Sequence, residues 1–225
     1  MKPAVTSHAV FDLDGTLIDS VSLCADILNA MLADRGAAFR VSNDQTRPHV
    51  TAGGPAMVAA LLGDHCGDPT LAIGEFRERY AATPTPAACL YPGVREGLAE
   101  LRRQGVGLAI VSNKPQALCE KAMRELDLAD LFDAIVGTAP DVPLKPDPTG
   151  LDLALARAGG TRRRCCFVGD SDGDHALARR ADVPLVMVAY GYGEACRDWP
   201  GALIAEDFTA VPVLVTGLLA RRAAA

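Results

Sequence analysis

Two carboxylates two positions apart, Asp12 and Asp14, follow an apolar run of Ala9, Val10 and Phe11, with Leu13 between them and Gly15-Thr16 behind. The run suits a buried strand, and in an open α/β sheet ligands gather beyond the carboxyl ends of the strands. Two aspartates placed there repel each other and carry a desolvation cost, so a cation is their natural third party. A hard, oxygen-preferring ion such as Mg2+ fits, and it can hold a phosphate beside them. Taken alone, Asp-Gly also suits an ordinary turn. A second acidic group follows another apolar run: Phe167-Val168-Gly169-Asp170-Ser171-Asp172-Gly173-Asp174. It too could be a turn, capping a helix from His175. Its repetition after a second strand is what shared metal coordination needs.

Two weaker signals fall between them. Val111-Ser112-Asn113-Lys114 offers a hydroxyl and backbone N–H groups to phosphate oxygens, or merely starts the helix after Pro115. Leu144-Lys145-Pro146-Asp147-Pro148 sets Lys145 in a stiff loop, in a chain with only four lysines among 22 basic residues. A fixed positive charge is one reading of Lys145, and a solvated loop lysine is the other.

The elements that must position these residues are short apolar runs alternating with helical patterns. Strands are expected at 9–13, 108–112, 134–136, 165–168, 185–188 and 203–205. Helices are expected near 94–104, 115–127, 148–158, 174–181 and 208–220. This alternation predicts an α/β fold with a parallel sheet covered on both faces. Residues 19–83 break the alternation with three helical patterns, at 23–34, 55–62 and 71–81. They predict a separate helical insert after the first strand, returning at Thr83-Pro84-Thr85-Pro86 and overhanging the Asp pair as a lid. The expected domains are therefore a core of 1–18 and 84–225 and a helical cap of 19–83. The final Ala223–Ala225 is expected to fray.

Composition narrows the function. The 225 residues are 49% apolar, with net charge −6. No basic stretch is long enough for a nucleic-acid footprint, and Arg162–Arg164 reads as a solvated loop. No apolar run reaches bilayer length, and the N-terminal stretch has no signal-peptide pattern. Seven cysteines without a Cys-x-x-Cys pair suit a reduced, cytoplasmic chain. Oligomeric state is not readable.

Taken in order, Asp12-Leu13-Asp14-Gly15-Thr16, Ser112, Lys145 and Gly169–Asp174 resemble the four motifs of the haloacid dehalogenase superfamily, over nearly the whole chain. The resemblance implies a Rossmann-like core with a small helical cap and Mg2+-dependent phosphoryl chemistry on a small phosphorylated metabolite. The phosphoglycolate phosphatase branch looks most similar, sharing the Lys-Pro-x-Pro loop and a cap segment like Arg47-Pro48-His49-Val50-Thr51-Ala52-Gly53-Gly54. Sugar-phosphate phosphatases, including those acting on N-acetylmuramic acid 6-phosphate, look similar there too.

Carried over, Asp12 is the nucleophile and Asp14 the acid and base. Lys145 offsets charge, and Ser112 and Asn113 hold phosphate. Mg2+ is bound by Asp12, the Asp14 carbonyl and Asp170. Asp174 is a ligand through water or an anchor for Lys145, while Asp172 is an acidic turn residue. Arg47 and His49 are the candidates for reading the substrate. Asp14 argues against a dehalogenase, which needs no leaving-group acid. The absence of lysine between Lys2 and Lys114 excludes the Schiff base of a phosphonatase. Thr16 favours a phosphatase over a phosphomutase, and the filled motifs argue against a catalytically silent binding module.

Overall fold

The computed structural model describes residue 5 and residues 7–50, 53–193 and 199–224. Among them six strands form one parallel sheet: β1 (Ser7–Phe11), β2 (Val106–Pro115), β3 (Ala134–Thr138), β4 (Cys165–Gly169), β5 (Leu185–Val188) and β6 (Leu203–Ala205). Their order is β3-β2-β1-β4-β5-β6, so connections leave β1 in both directions and a crevice opens at its carboxyl end. Phe11 pairs with Ile110 on one side and Val168 on the other. That register brings Asp12, Ser112 and Asp170 to one edge of the sheet.

Alternation along the strands splits the core into two layers. Ala9, Phe11, Ile110 and Val168 pack on one face, against α5 (Val94–Arg103), α6 (Gln116–Glu125) and α9 (Val211–Ala224). Val10, Val111 and Phe167 pack on the other, against α7 (Thr149–Ala158) and, for Phe167 and its neighbours, α8 (Asp172–Ala181). Burial on both faces explains why the central strands carry no polar alternation.

Between β1 and β2 the chain inserts α1 (Val21–Asp34), α2 (Asn43–Val50), α3 (Gly54–Leu62) and α4 (Pro69–Ala82). They enclose a third apolar cluster around Leu28, Met31, Leu62, Phe76 and Tyr80, which also takes in Leu118 of α6. The two chain crossings into this cap run side by side. Asp19 N–H donates to the Cys89 carbonyl at 2.7 Å and Tyr91 N–H to that of Leu17 at 3.1 Å, flanking an antiparallel Ile18–Leu90 bridge. No helix among the described residues is long and apolar enough to cross a membrane.

Several boundaries differ from expectation. β1 ends at Phe11, so Leu13 belongs to the turn, while β2 runs on to Pro115 and carries Ser112 and Asn113 within it. α8 begins at Asp172 rather than near His175. α2 is a helix the sequence does not announce, because it has almost no apolar stripe and contains Pro48. Ala223 and Ala224 are the last residues of α9. Thr51 and Ala52 of the cap segment, Cys196 and Ala225 lie outside the described residues.

Candidate active site

Asp12 directly follows β1, its N–H donating to the Val168 carbonyl of β4 at 2.9 Å. Its side chain is buried, and the Lys145 ammonium lies 2.7 Å from Oδ1 as an ion pair without a directed hydrogen bond. Lys145 donates at 2.8 Å to Asp174, and its own backbone N–H is held at 2.7 Å by the Asn113 side chain. Asn113 thus places the Lys145 loop. Asp174 is wholly buried and fully used: Oδ1 accepts from Lys145, and Oδ2 from the N–H groups of Asp170 and Ser171 and the Ser171 hydroxyl.

Asp170 closes the group. It accepts from Thr16 Oγ1 at 2.9 Å and from the Tyr192 N–H at 2.8 Å. Three glycines crowd it: a Cβ at Gly15, Gly191 or Gly193 would collide with Asp170, and Gly15 adopts φ +87°, which suits glycine. Burial pushes the Asp170 carboxyl well above its ordinary range, and repulsion from Asp12 and Asp174 adds to it. Burial likewise raises Asp12 to about 7, with Lys145 opposing and Asp174 reinforcing. Lys145 is held above its ordinary value: burial works against its charge, and attraction to Asp12 and Asp174 outweighs that.

One oxygen from each of Asp12, Asp170 and Asp174 lies within 4.8 Å of the others. These hard donors outnumber the one ammonium among them, so the cluster is suited to a hard divalent cation. The Asp14 side chain is not in it. Its carboxylate turns instead to Lys114, at 2.9 and 3.0 Å, and to Ser20 Oγ, at 2.6 Å.

A cavity of about 960 Å3 covers this edge, with Asp12, Asp14, Ser112, Asn113, Lys114 and Lys145 on its floor. Cap residues form its roof, among them Arg47, Met57, Ile73, Phe76, Arg77 and Tyr80. Asp172 lines the cavity but stands outside the three-carboxylate cluster. Arg47 pairs loosely with Asp19 at 3.4 Å and stacks over Tyr192. His49, the seventh residue of α2, is not among the residues that line the cavity, although Arg47, Pro48 and Val50 beside it are, which corrects its expected role.

A model of the haloacid dehalogenase-like hydrolase family matches residues 6–182. The chain belongs to this family. Among curated relatives of this haloacid dehalogenase-like hydrolase, it is 36% identical to a phosphoglycolate phosphatase of Pseudomonas syringae pv. syringae over 210 residues, 91% of this chain and 75% of the relative. It is 34% identical to a phosphoglycolate phosphatase of Rhodobacter capsulatus over 223 residues, 96% and 98% of the two chains. A crystal structure of a predicted phosphoglycolate phosphatase from Haemophilus somnus superposes with a TM-score of 0.79 at 25% identity, covering 92% of this chain and 97% of the other. The hydrolase is therefore an enzyme of phosphoglycolate phosphatase-like kind.

Sequence reasoning missed four of this hydrolase's site residues. Lys114 directly follows Ser112-Asn113, but nothing local points its ammonium at Asp14, a hundred residues away. Arg77 lines the roof, and nothing in the sequence separates it from the other charges of α4, Glu75, Glu78 and Arg79. Tyr190 and Tyr192 follow β5 without any acidic signal, yet Tyr190 donates to the Thr16 carbonyl at 2.8 Å and Tyr192 seats Asp170. A Tyr-Gly-Tyr-Gly run beyond an apolar strand was the available clue.

Proposed function

We propose that this enzyme is a Mg2+-dependent phosphatase acting on a small phosphate monoester through an aspartyl-phosphate on Asp12. The observation that carries the reading is the pairing of buried Asp12 with Lys145 beside Asp170 and Asp174, while Asp14 stands apart on the cavity floor. Asp12 would attack phosphorus as the ester P–O bond breaks, and the proton from Asp14 would go to the leaving oxygen. Water would then attack the same phosphorus, passing its proton to Asp14, and the P–O bond to Asp12 would break to restore the carboxylate.

Lys145 would offset the charge that Asp12 and phosphate bring together, with Ser112 and the Asn113 N–H holding phosphate oxygens. Mg2+ would be held by Asp12, Asp170 and the Asp14 carbonyl, and when bound it supplies charge neutralisation at the phosphate. Asp174, with both oxygens engaged, serves as the anchor of Lys145 and of the acidic turn. Residues 19–83 act as a lid, and six free thiols among the described residues suit a cytoplasmic setting.

Phosphoglycolate is the first substrate to test, on the likeness to phosphoglycolate phosphatases. The cavity favours a second reading. Its volume and its apolar roof of Met57, Ile73 and Phe76 exceed what so small an acid occupies. A sugar phosphate carrying an acyl or carboxylate group fills more of it, with Arg47 or Arg77 facing the anion. A phosphate-release screen over phosphoglycolate, simple sugar phosphates, N-acetylmuramic acid 6-phosphate and a phosphoprotein, with Mg2+ and with EDTA, tests the substrate class and the metal dependence. Release that EDTA leaves untouched would sink the metal dependence, and preference for a phosphoprotein would sink the small-ester reading.

A further inference from the structure

The hold on Asp14 involves both halves of the molecule. Lys114 ends its side chain in a buried ammonium that donates to both Asp14 oxygens, at 2.9 and 3.0 Å. Asp14 is its only ion-pair partner among the described residues. Ser20, at the start of the cap, adds a hydroxyl donor to Oδ1 at 2.6 Å. Above the ammonium lies the ring of Tyr80, from α4 of the cap, with its centroid 4.4 Å from Nζ. One cation is thus held between a core carboxylate and a cap aromatic face. A carboxylate gripped through both oxygens loses its freedom to rotate, and an ammonium against an aromatic face is favoured most where water is excluded.

We infer that Lys114 is a positioning residue that fixes the Asp14 carboxylate for proton transfer, and that Tyr80 makes this hold depend on the seating of the cap. The inference rests on the reading of Asp14 as proton donor to the leaving oxygen. A lysine serving only to hold the fold together would leave every substrate equally affected by its loss. A positioning lysine affects most those substrates whose leaving group needs the proton.

The test compares kcat/KM, which covers steps through the first P–O cleavage, for p-nitrophenyl phosphate and for an alkyl phosphate. Nitrophenolate departs unaided, whereas an alkoxide must be protonated. Lys114→Met should raise the ratio of the two constants by about tenfold or more, because a small displacement of a catalytic group is costly. Asp14→Asn should raise it at least as far, and the double variant no further than Asp14→Asn, since both act through one carboxylate. Lys114→Arg, which can still bond both oxygens, should recover part of the ratio. Tyr80→Leu should shift the ratio in the same direction, and Tyr80→Phe, which keeps the ring, should shift it less. Should Asp14→Asn move the ratio while Lys114→Met lowers both substrates alike, the positioning role is overturned and the role of Asp14 stands. Should Asp14→Asn leave the ratio unchanged, the donor reading itself fails. A Tyr80→Leu variant with the parent's ratio would remove the cap from the account.

Discussion

At Asp12, loss of the nucleophilic oxygen and loss of the buried charge have opposite consequences. Asp12→Asn should lower turnover by at least about a hundredfold, since the near-isosteric amide cannot form the phosphoenzyme. Retention of a tenth of the activity, measured at saturating Mg2+, would rule out the covalent route. The same change should raise the melting temperature of metal-free protein above neutral pH, because one of three mutually repelling buried carboxylates is gone. Asp170→Ala should raise the Mg2+ concentration needed for half-maximal activity, while Asp172→Ala, outside the cluster, should do much less. Identical Mg2+ titrations for the two variants would contradict that division. The acidic positions were legible in the sequence because paired carboxylates behind apolar strands have few other uses. The partners that orient them were not. Thr16 and Lys114 reach their carboxylates across large separations in the chain, and a hydroxyl or amine gives no local sign of where it points; Tyr192 reaches Asp170 through its backbone N–H, which its side-chain type does not announce.

At the level of elements, strands buried on both faces are easily read, and all six lie where apolar runs predict them, within a few residues at their ends. The cap was read less completely. α1, α3 and α4 follow from their apolar patterns, whereas α2 buries only Thr46 and carries no periodic signal. Its existence depends on neighbours rather than on its own composition. The turn after β1 shows the opposite case, where one backbone angle decides. Gly15→Ala should destabilise the fold by roughly 1–3 kcal/mol, as a side chain takes on a left-handed backbone. It should also weaken Mg2+ binding, because the new Cβ presses on the Asp170 carboxylate. Chemical denaturation and a Mg2+ titration check the two halves. A variant as stable and as responsive to Mg2+ as the parent would show that the turn relaxes freely.

On the scale of the whole molecule, the clustered carboxylates tie stability to pH. Asp12 has a folded-state pKa near 7, above its unfolded value, and Asp170 is shifted the same way. The contribution of Asp12 is fully present below the ordinary carboxylate range and is lost as pH rises through about 7, and that of Asp170 falls with rising pH in the same sense. Lys145, also raised, keeps its contribution until strongly alkaline pH. Metal-free protein should therefore melt lower at pH 8 than at pH 5.5, and Mg2+ should raise the melting temperature more at pH 8. Scans in EDTA and in Mg2+ would show it, and Asp12→Asn should flatten the dependence. The roof of the cavity supplies a second whole-molecule expectation. Arg47→Ala should weaken turnover of the physiological ester while sparing p-nitrophenyl phosphate, which offers no remote anion; equal losses would indicate damage to the core. The paired crossings between core and cap limit how that roof can move. The outgoing and returning chains are bonded to each other at Asp19–Cys89 and Tyr91–Leu17, and the returning one is tied to α6 through the Thr83 carbonyl and the Thr85 N–H. Two strands clasped side by side resist sliding and shear but yield to rotation about their shared axis. A cap mounted in this way is expected to swing like a door on one hinge, its free edge sweeping an arc while the groups beside the crossings stay almost still.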